Sequence, residues 1–244
     1  MTDAQRVAFD EQGYLSLPGA LVGAALAQVQ EAAAQAEALW SADTSRLGAR
    51  SAALDQVQAP IEYDDRLLEL LWHPTVFPVV RALLGDDVAM IDNDLFLTPP
   101  RTPQTHAGWH HDVGMQGIYH PKSLLMVKVF YLLTDVDETR GPTMVVPGSQ
   151  RWEESPQSVE SAVAMTGKAG DAYLFNCRIY HCAANNDSDH WRRVLIYNYG
   201  HFWMKPWQGY EPSARLLAAA HASGDPVRKQ LLGIGDAYGQ RLAA

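Results

Sequence analysis

Leu124–Leu133 reads LLMVKVFYLL, an apolar run of β-branched, aromatic and aliphatic residues broken by a single charge, Lys128. A run of this length and composition reads as a buried strand. Working outward, Val88–Leu97 (VAMIDNDLFL) on one side and Thr143–Val146, Ala172–Phe175 and Val194–Tyr199 on the other have the same character, and Gly, Pro, Asn and Asp separate them. Beyond this strand-rich centre the pattern turns helical. Residues 3–12 have a cap at Thr2 or Asp3 and a stop at Gly13. An Ala-rich stretch from about Ala20 to Trp40 has strong helix propensity. Asp64 to Leu84 reads as two helical pieces split at His73-Pro74 and ended by Gly85, and Pro212–Ala220 and Val227–Leu232 close the chain. Helices, then a run of short strands, then helices imply an antiparallel sandwich or barrel with a helical flank. Strands and helices do not alternate, which argues against a doubly wound fold.

No internal repeat or Gly/Ser linker divides the 244 residues, so one domain is expected over 1–244: a mostly helical flank (1–85), a strand-rich core (86–210) and C-terminal helices (211–244). At 47% hydrophobic and 19% charged the composition is that of a globular chain. Lys plus Arg (19) against Asp plus Glu (28) leaves a net charge of −9, which repels phosphate backbones and makes nucleic acid a poor partner. No apolar stretch approaches the roughly 20 residues of a membrane span. Met1–Tyr14 carries charge where a secretory signal needs an apolar core, so a cytoplasmic protein is expected. The two cysteines, Cys177 and Cys182, form neither a disulfide framework nor a CxxC zinc pair, and read as small, half-buried strand residues.

The chemistry concentrates at Gly108-Trp109-His110-His111-Asp112. In extended backbone His110 and Asp112 share a face while His111 turns away. His181, in Tyr180-His181-Cys182, is the best third ligand. Two imidazoles and one carboxylate on one face of a metal leave the opposite positions open, the facial geometry of non-haem Fe(II) oxygenases. Arg192 and Arg193 open the strand Val194–Tyr199 and face opposite ways. An inward arginine makes sense when its planar fork grips a carboxylate, and the distal carboxylate of 2-oxoglutarate is a natural occupant.

Taken with Phe9–Leu15, Leu83-Leu84-Gly85, Leu133–Asp137, Gly141–Ser149, Gly170-Asp171 and Asn185, these motifs resemble, in order and spacing, the phytanoyl-CoA dioxygenase-like family of Fe(II)/2-oxoglutarate-dependent oxygenases. The resemblance covers nearly the whole chain. It implies a double-stranded β-helix (jelly-roll, cupin-like) core in a mainly β protein with flanking helices. Fe(II), 2-oxoglutarate and O2 would be the cofactors. His110, Asp112 and His181 match the family's iron ligands, Arg192 matches the arginine that holds 2-oxoglutarate, and Thr143 would help line that pocket. The implied reaction is hydroxylation of a small metabolite or natural product, with release of succinate and CO2. Desaturation, epimerisation or oxidative cyclisation would use the same centre, and Asp112 argues against halogenation.

The chain departs from the family at three points. Ala183 stands where a small hydroxyl residue is usual, Asn93-Asp94 where a lysine is usual, and Gln150 ends Pro147-Gly148-Ser149. Lys128 either compensates from the next strand or faces solvent. His106 and His120 flank the metal loop, and Trp203, Trp207 and Tyr210 form either a pocket wall or core. Two other classes are distinguishable: a jelly-roll that binds a metal or ligand without turnover, and a zinc hydrolase with no use for Arg192.

Overall fold

The computed structural model describes residues 1–42, 55–103, 108–113 and 123–235. Helix α1 (Asp3–Gln12) begins at Thr2, whose hydroxyl accepts the Gln5 N–H while the Gln5 side chain accepts the Thr2 N–H, and it stops at Gly13 (φ 87°). Strand β1 (Tyr14–Leu17) follows, then α2 (Gly23–Ala42), which buries Val29, Ala32, Ala33, Ala36 and Trp40 on one stripe. After β2 (Asp55–Gln58) come α3 (Asp65–Leu68), a 3₁₀ turn (Glu69–Trp72) and α4 (Phe77–Leu84). The central strands are β3 (Val88–Thr98), β4 (Met126–Leu132), β5 (Thr143–Val145), β6 (Val163–Met165), β7 (Ala172–Asn176), β8 (His181–Ala183) and β9 (Arg192–His201). Helices α5 (Ala214–Ser223) and α6 (Pro226–Leu231) close the described chain.

Two antiparallel sheets form the core, one of six strands in the order β1-β7-β4-β9-β3-β2 and one of three, β6-β5-β8. This is the mainly β jelly-roll with flanking helices. The flank before residue 85 is less helical than its sequence suggests, because β1 and β2 pair onto the two edges of the large sheet. Four-residue edge strands such as Asp55-Gln56-Val57-Gln58 carry little pattern of their own and form through pairing.

The large sheet is buried on both faces. Its outer face, with Val127, Val129, Tyr131, Leu195, Tyr197 and Tyr199, packs against the helices. Its inner face, with Phe130, Leu132, Tyr173, Phe175, Val194 and Ile196, packs against Val145 and Met165 of the small sheet. Cross-strand neighbours share a face, so Lys128, in register with Phe175 and Asn198, points inward.

Three buried tyrosines tie the outer face to short helical turns. Tyr197 donates to Leu67 O (2.8 Å), Tyr199 to Leu71 O (2.9 Å) and Tyr131 to Leu70 O (3.1 Å). Carbonyls at the ends of such turns keep spare acceptor capacity, Leu70 O also taking the His73 N–H (3.3 Å), and the hydroxyls use it. Tyr197→Phe is expected to lower the unfolding free energy by about 1–2 kcal/mol, read by urea denaturation, with iron content unchanged.

Candidate active site

The HxD segment joins the small sheet through a single bridge and then a turn. The His110 N–H donates to His181 O (2.9 Å) and the His181 N–H donates to His110 O (3.0 Å), setting the two rings 4.3 Å apart. The Asp112 N–H donates to Cys177 O (3.0 Å), which turns the carboxylate back toward the rings. Bridge and turn thus replace the expected extended strand, with the same grouping as outcome. His111 goes the other way. Its ring is buried against Tyr180, with Nδ1 on the Arg178 carbonyl (2.5 Å).

His110 Nε2 lies 3.7 Å from Asp112 Oδ1, and His181 Nε2 lies 3.8 Å from Asp112 Oδ2. One ligand atom from each residue falls within 4.8 Å of the others. Both Nδ1 atoms face carbonyls that can only accept, Gly108 O at 2.7 Å for His110 and Ile179 O at 2.9 Å for His181. Each Nδ1 therefore carries the proton, and each Nε2 turns a lone pair on the shared point. Burial pulls the His181 imidazole down to about 4, so it is neutral at pH 7. Burial pushes the Asp112 carboxyl up, but Lys128 and His181 beside it outweigh that and hold it well below the carboxylate range. The Lys128 ammonium, 2.8 Å from Asp112 Oδ2, is itself pushed down by burial and more than restored by that carboxylate. Burial and the neighbouring Asp112 keep the Cys177 thiol protonated. Two imidazoles with Nε2 turned to one point, one ionised carboxylate and no thiolate make a donor set that fits Fe(II).

The His181 shift has a consequence in metal-free protein. Its folded value lies below the unfolded value of 6.5, so the unfolded chain binds the proton first. Its contribution to stability is complete above about pH 6.5 and is lost as pH falls toward 4, by up to about 3 kcal/mol. Urea titrations across that window are expected to show the loss, and His181→Gln is expected to flatten it.

At the start of β9, Arg192 is 5% exposed. Its Nη2 lies 3.4 Å from Thr143 Oγ1, it hydrogen-bonds Tyr173, and Tyr173 OH donates to Thr143 Oγ1 (2.9 Å). The buried Nε has no partner, and no carboxylate of the described residues pairs with the guanidinium. Burial accordingly pulls its pKa down. A desolvated fork without an anion fits a ligand carboxylate. Arg193 instead packs over Trp191 and lies 3.6 Å from Glu37. Gly141 makes the room: at φ 60° it passes close to Arg192, and a Cβ there would meet Ala184 O at 3.4 Å.

The two halves of the site are adjacent. In β5–β8 pairing, His181 faces Val145 and Ala183 faces Thr143. On β7, Phe175 packs on the His181 ring (4.8 Å) and Tyr173 bonds Thr143. One two-residue strand step, roughly 7 Å, separates these rows.

Tyr173 carries no signal in the sequence beyond its alternation with Phe175, which puts both on one face. Lys128 resolves inward onto Asp112. Trp207 lies 5.9 Å from Lys128 Nζ and lines a cavity with Tyr210, whereas Trp203 is exposed and stacks on His201. Trp109 stacks on Tyr180 beside the metal loop. Asp171 holds a turn, accepting the Gly19 and Lys168 N–H groups. Asn186, one position after Asn185, is the buried knot that donates to Pro99 O and His190 O. His106 and His120 lie outside the described residues.

Residues 9–194 match the model of the family Phytanoyl-CoA dioxygenase (PhyH). The chain belongs to that family. This family member is 27% identical over 246 residues to Dioxygenase af480 of Aspergillus fumigatus, with 96% of this chain and 77% of the relative aligned. Its fold is similar to that of EctD from S. alaskensis, solved with 2-oxoglutarate and 5-hydroxyectoine (TM-score 0.71, 24% identity, 88% of this chain and 86% of that one). It is also similar to that of SnoN, an alpha-ketoglutarate-dependent epimerase of nogalamycin biosynthesis (TM-score 0.64, 20% identity, 82% and 80%). The PhyH protein is an Fe(II)/2-oxoglutarate-dependent dioxygenase, with Fe(II), 2-oxoglutarate and O2 as its cofactors. Among the described residues no single helix is long and apolar enough to cross a membrane.

Proposed function

We propose that this enzyme hydroxylates a C–H bond of a small metabolite or natural product, releasing succinate and CO2. His110, Asp112 and His181 would hold the iron, and Arg192, with Thr143 and Tyr173, the distal carboxylate of 2-oxoglutarate. One observation carries the reading: two imidazole Nε2 atoms and an ionised carboxylate converge one strand step from a buried guanidinium with no carboxylate partner among the described residues. That spacing suits a short dicarboxylic acid that reaches the metal with one end and the arginine with the other. Bound iron and 2-oxoglutarate supply the activation of O2 and the oxidising power.

The chain's own residues do the rest. Gly108 O and Ile179 O fix the tautomers that aim both imidazoles. Lys128 keeps Asp112 ionised and holds its Oδ2, while its Oδ1 faces His110 Nε2. Phe175 presses on the His181 ring and keeps water from that side. Thr143 and Tyr173 replace the hydroxyl missing at Ala183, so the anion pocket has polar walls despite that departure.

The test is succinate formation by anaerobically iron-loaded protein given 2-oxoglutarate and then O2, against protein loaded with zinc. Iron-dependent succinate supports the reading, even at the slow rate expected without substrate. Iron-bound protein that yields no succinate and binds no 2-oxoglutarate contradicts it.

A further inference from the structure

Next to this centre lies a cavity of about 440 Å³ whose walls include Glu62, Tyr63, Asp92, Asp94, Trp207 and Tyr210. The volume falls in the range of small-molecule sites. A β-bulge creates its acidic wall: the β3–β9 register shifts between Met90 and Asp92. Val88 and Met90 face the helices, and without the extra residue Asp92 and Asp94 would follow them. With it, both carboxyls turn to the inner face beside Lys128 and Asn198.

The chain gives these acids no counter-ion. Among the described residues, neither Asp92 nor Asp94 has a lysine or arginine in ion-pair contact, and Lys128 acts on them only at longer range. They hydrogen-bond each other, Asp94 also meets Gln56, and burial lifts both carboxyls above their ordinary range. An independent observation points the same way. Asn198, cross-strand neighbour of Asp92 on one side and Lys128 on the other, is 2% exposed, and its Oδ1 has no hydrogen-bond partner. Asp92 Oδ1 accepts the Asn93 N–H (2.8 Å), so the acceptor left without a donor is Asn198 Oδ1, on the same face of the sheet as the acidic wall. Glu62 is held in place by Tyr210 OH (2.8 Å) and the Ser213 N–H (3.0 Å), and the Trp207 and Tyr210 rings add π faces. The Trp207 ring lies 5.9 Å from Lys128 Nζ, which contacts Asp112, so Lys128 links a cavity-wall residue to the metal centre.

We infer that the substrate carries a cationic nitrogen, a protonated amine, amidine or guanidine, which docks between Asp92, Asp94 and Asn198 and leaves the adjoining carbon skeleton facing the iron. This rests on the oxygenase reading above and names its substrate class. A buried carboxyl pair without a counter-ion costs stability, and an incoming cation removes that cost. The same wall repels carboxylates and phosphates, so an acyl-CoA does not fit it, whatever the family's name suggests.

Three probes of one shape separate the possibilities: benzamidine, benzamide and benzoate, titrated by calorimetry into the anaerobic iron- and 2-oxoglutarate-loaded protein. Benzamidine is expected to bind about 10-fold more tightly than benzamide, with benzoate weakest. Asp92→Asn and Asp94→Asn, near-isosteric changes with folding checked by circular dichroism, are each expected to erase most of that preference. Equal binding of the three probes, a preference that survives both substitutions, or no binding by any probe overturns the proposal. The 2-oxoglutarate charge-transfer band of the same samples reports on the iron reading separately. Its absence alongside an intact benzamidine preference would sink that reading and leave the cation site standing.

Discussion

Iron-loaded protein carrying His181→Ala is expected to form succinate from 2-oxoglutarate at least ~100-fold more slowly than the parent chain. Loss of a residue that merely orients a metal ligand typically costs 10- to 100-fold in metal affinity or activity, and His181 would be a ligand itself. The geometry leaves no substitute among the described residues. His111 is the neighbouring imidazole, but it points away onto Arg178 O, and the Cys177 thiol is kept protonated. Because the ring is 5% exposed and packs on Phe175, alanine also opens a void. His181→Gln keeps most of the volume and is expected to lose iron equally. Iron content after gel filtration, measured with succinate yield, is the check; parent-like values of both in either variant would remove His181 from the site.

The second large effect has two opposite signs. Arg192→Met is expected to raise the KM for 2-oxoglutarate by about 30-fold or more, because truncating one partner of a buried, hydrogen-bonded charge pair costs about 2–5 kcal/mol. The same substitution is expected to raise the unfolding midpoint of ligand-free protein by about 3 °C, since it replaces a desolvated guanidinium whose Nε has no partner with an apolar chain of similar length. Arg192→Lys keeps the charge but not the planar fork, and should fall between the two in KM. Thermal melts with and without 2-oxoglutarate check both signs. If Arg192→Met lowers the midpoint and leaves KM alone, the arginine is a structural group and the anion pocket lies elsewhere.

Much of this architecture can be read from residue types. Thr2 and Gly13 bracket α1 because a hydroxyl cap and a left-handed stop are strong local signals. Strands β3, β4, β7 and β9 stand out because their β-branched and aromatic runs are long enough to show a pattern, and the three-residue β5 stands out only through the Pro142 and Pro147 that bracket it. The sequence points to His110, Asp112, His181 and Arg192 because imidazole, carboxylate and a strand-borne arginine in that order suit few other chemistries, and the structure brings the first three together and buries the fourth. What was not legible depends on pairing. Strands β6 and β8 have three residues each, too few for a period, and β1 and β2 take their form from the edges they complete. The direction of Lys128 was open because β4 is buried on both faces, so alternation does not say which face is which. The bulge at Ile91 hid Asp92 and Asp94, since one extra residue reverses every later side chain and leaves no mark on the local composition.

On the proposed function, one metal ion at His110, Asp112 and His181 would bind 2-oxoglutarate, with its far end on Arg192. Anaerobic titration of 2-oxoglutarate into Fe(II)-loaded protein, followed by visible absorption, tests it most directly. The expected result is a charge-transfer band that saturates at one 2-oxoglutarate per iron in the parent chain and needs about 30-fold more cosubstrate in Arg192→Met. Stoichiometric iron with no band at millimolar 2-oxoglutarate, or the same titration curve in both proteins, would contradict it.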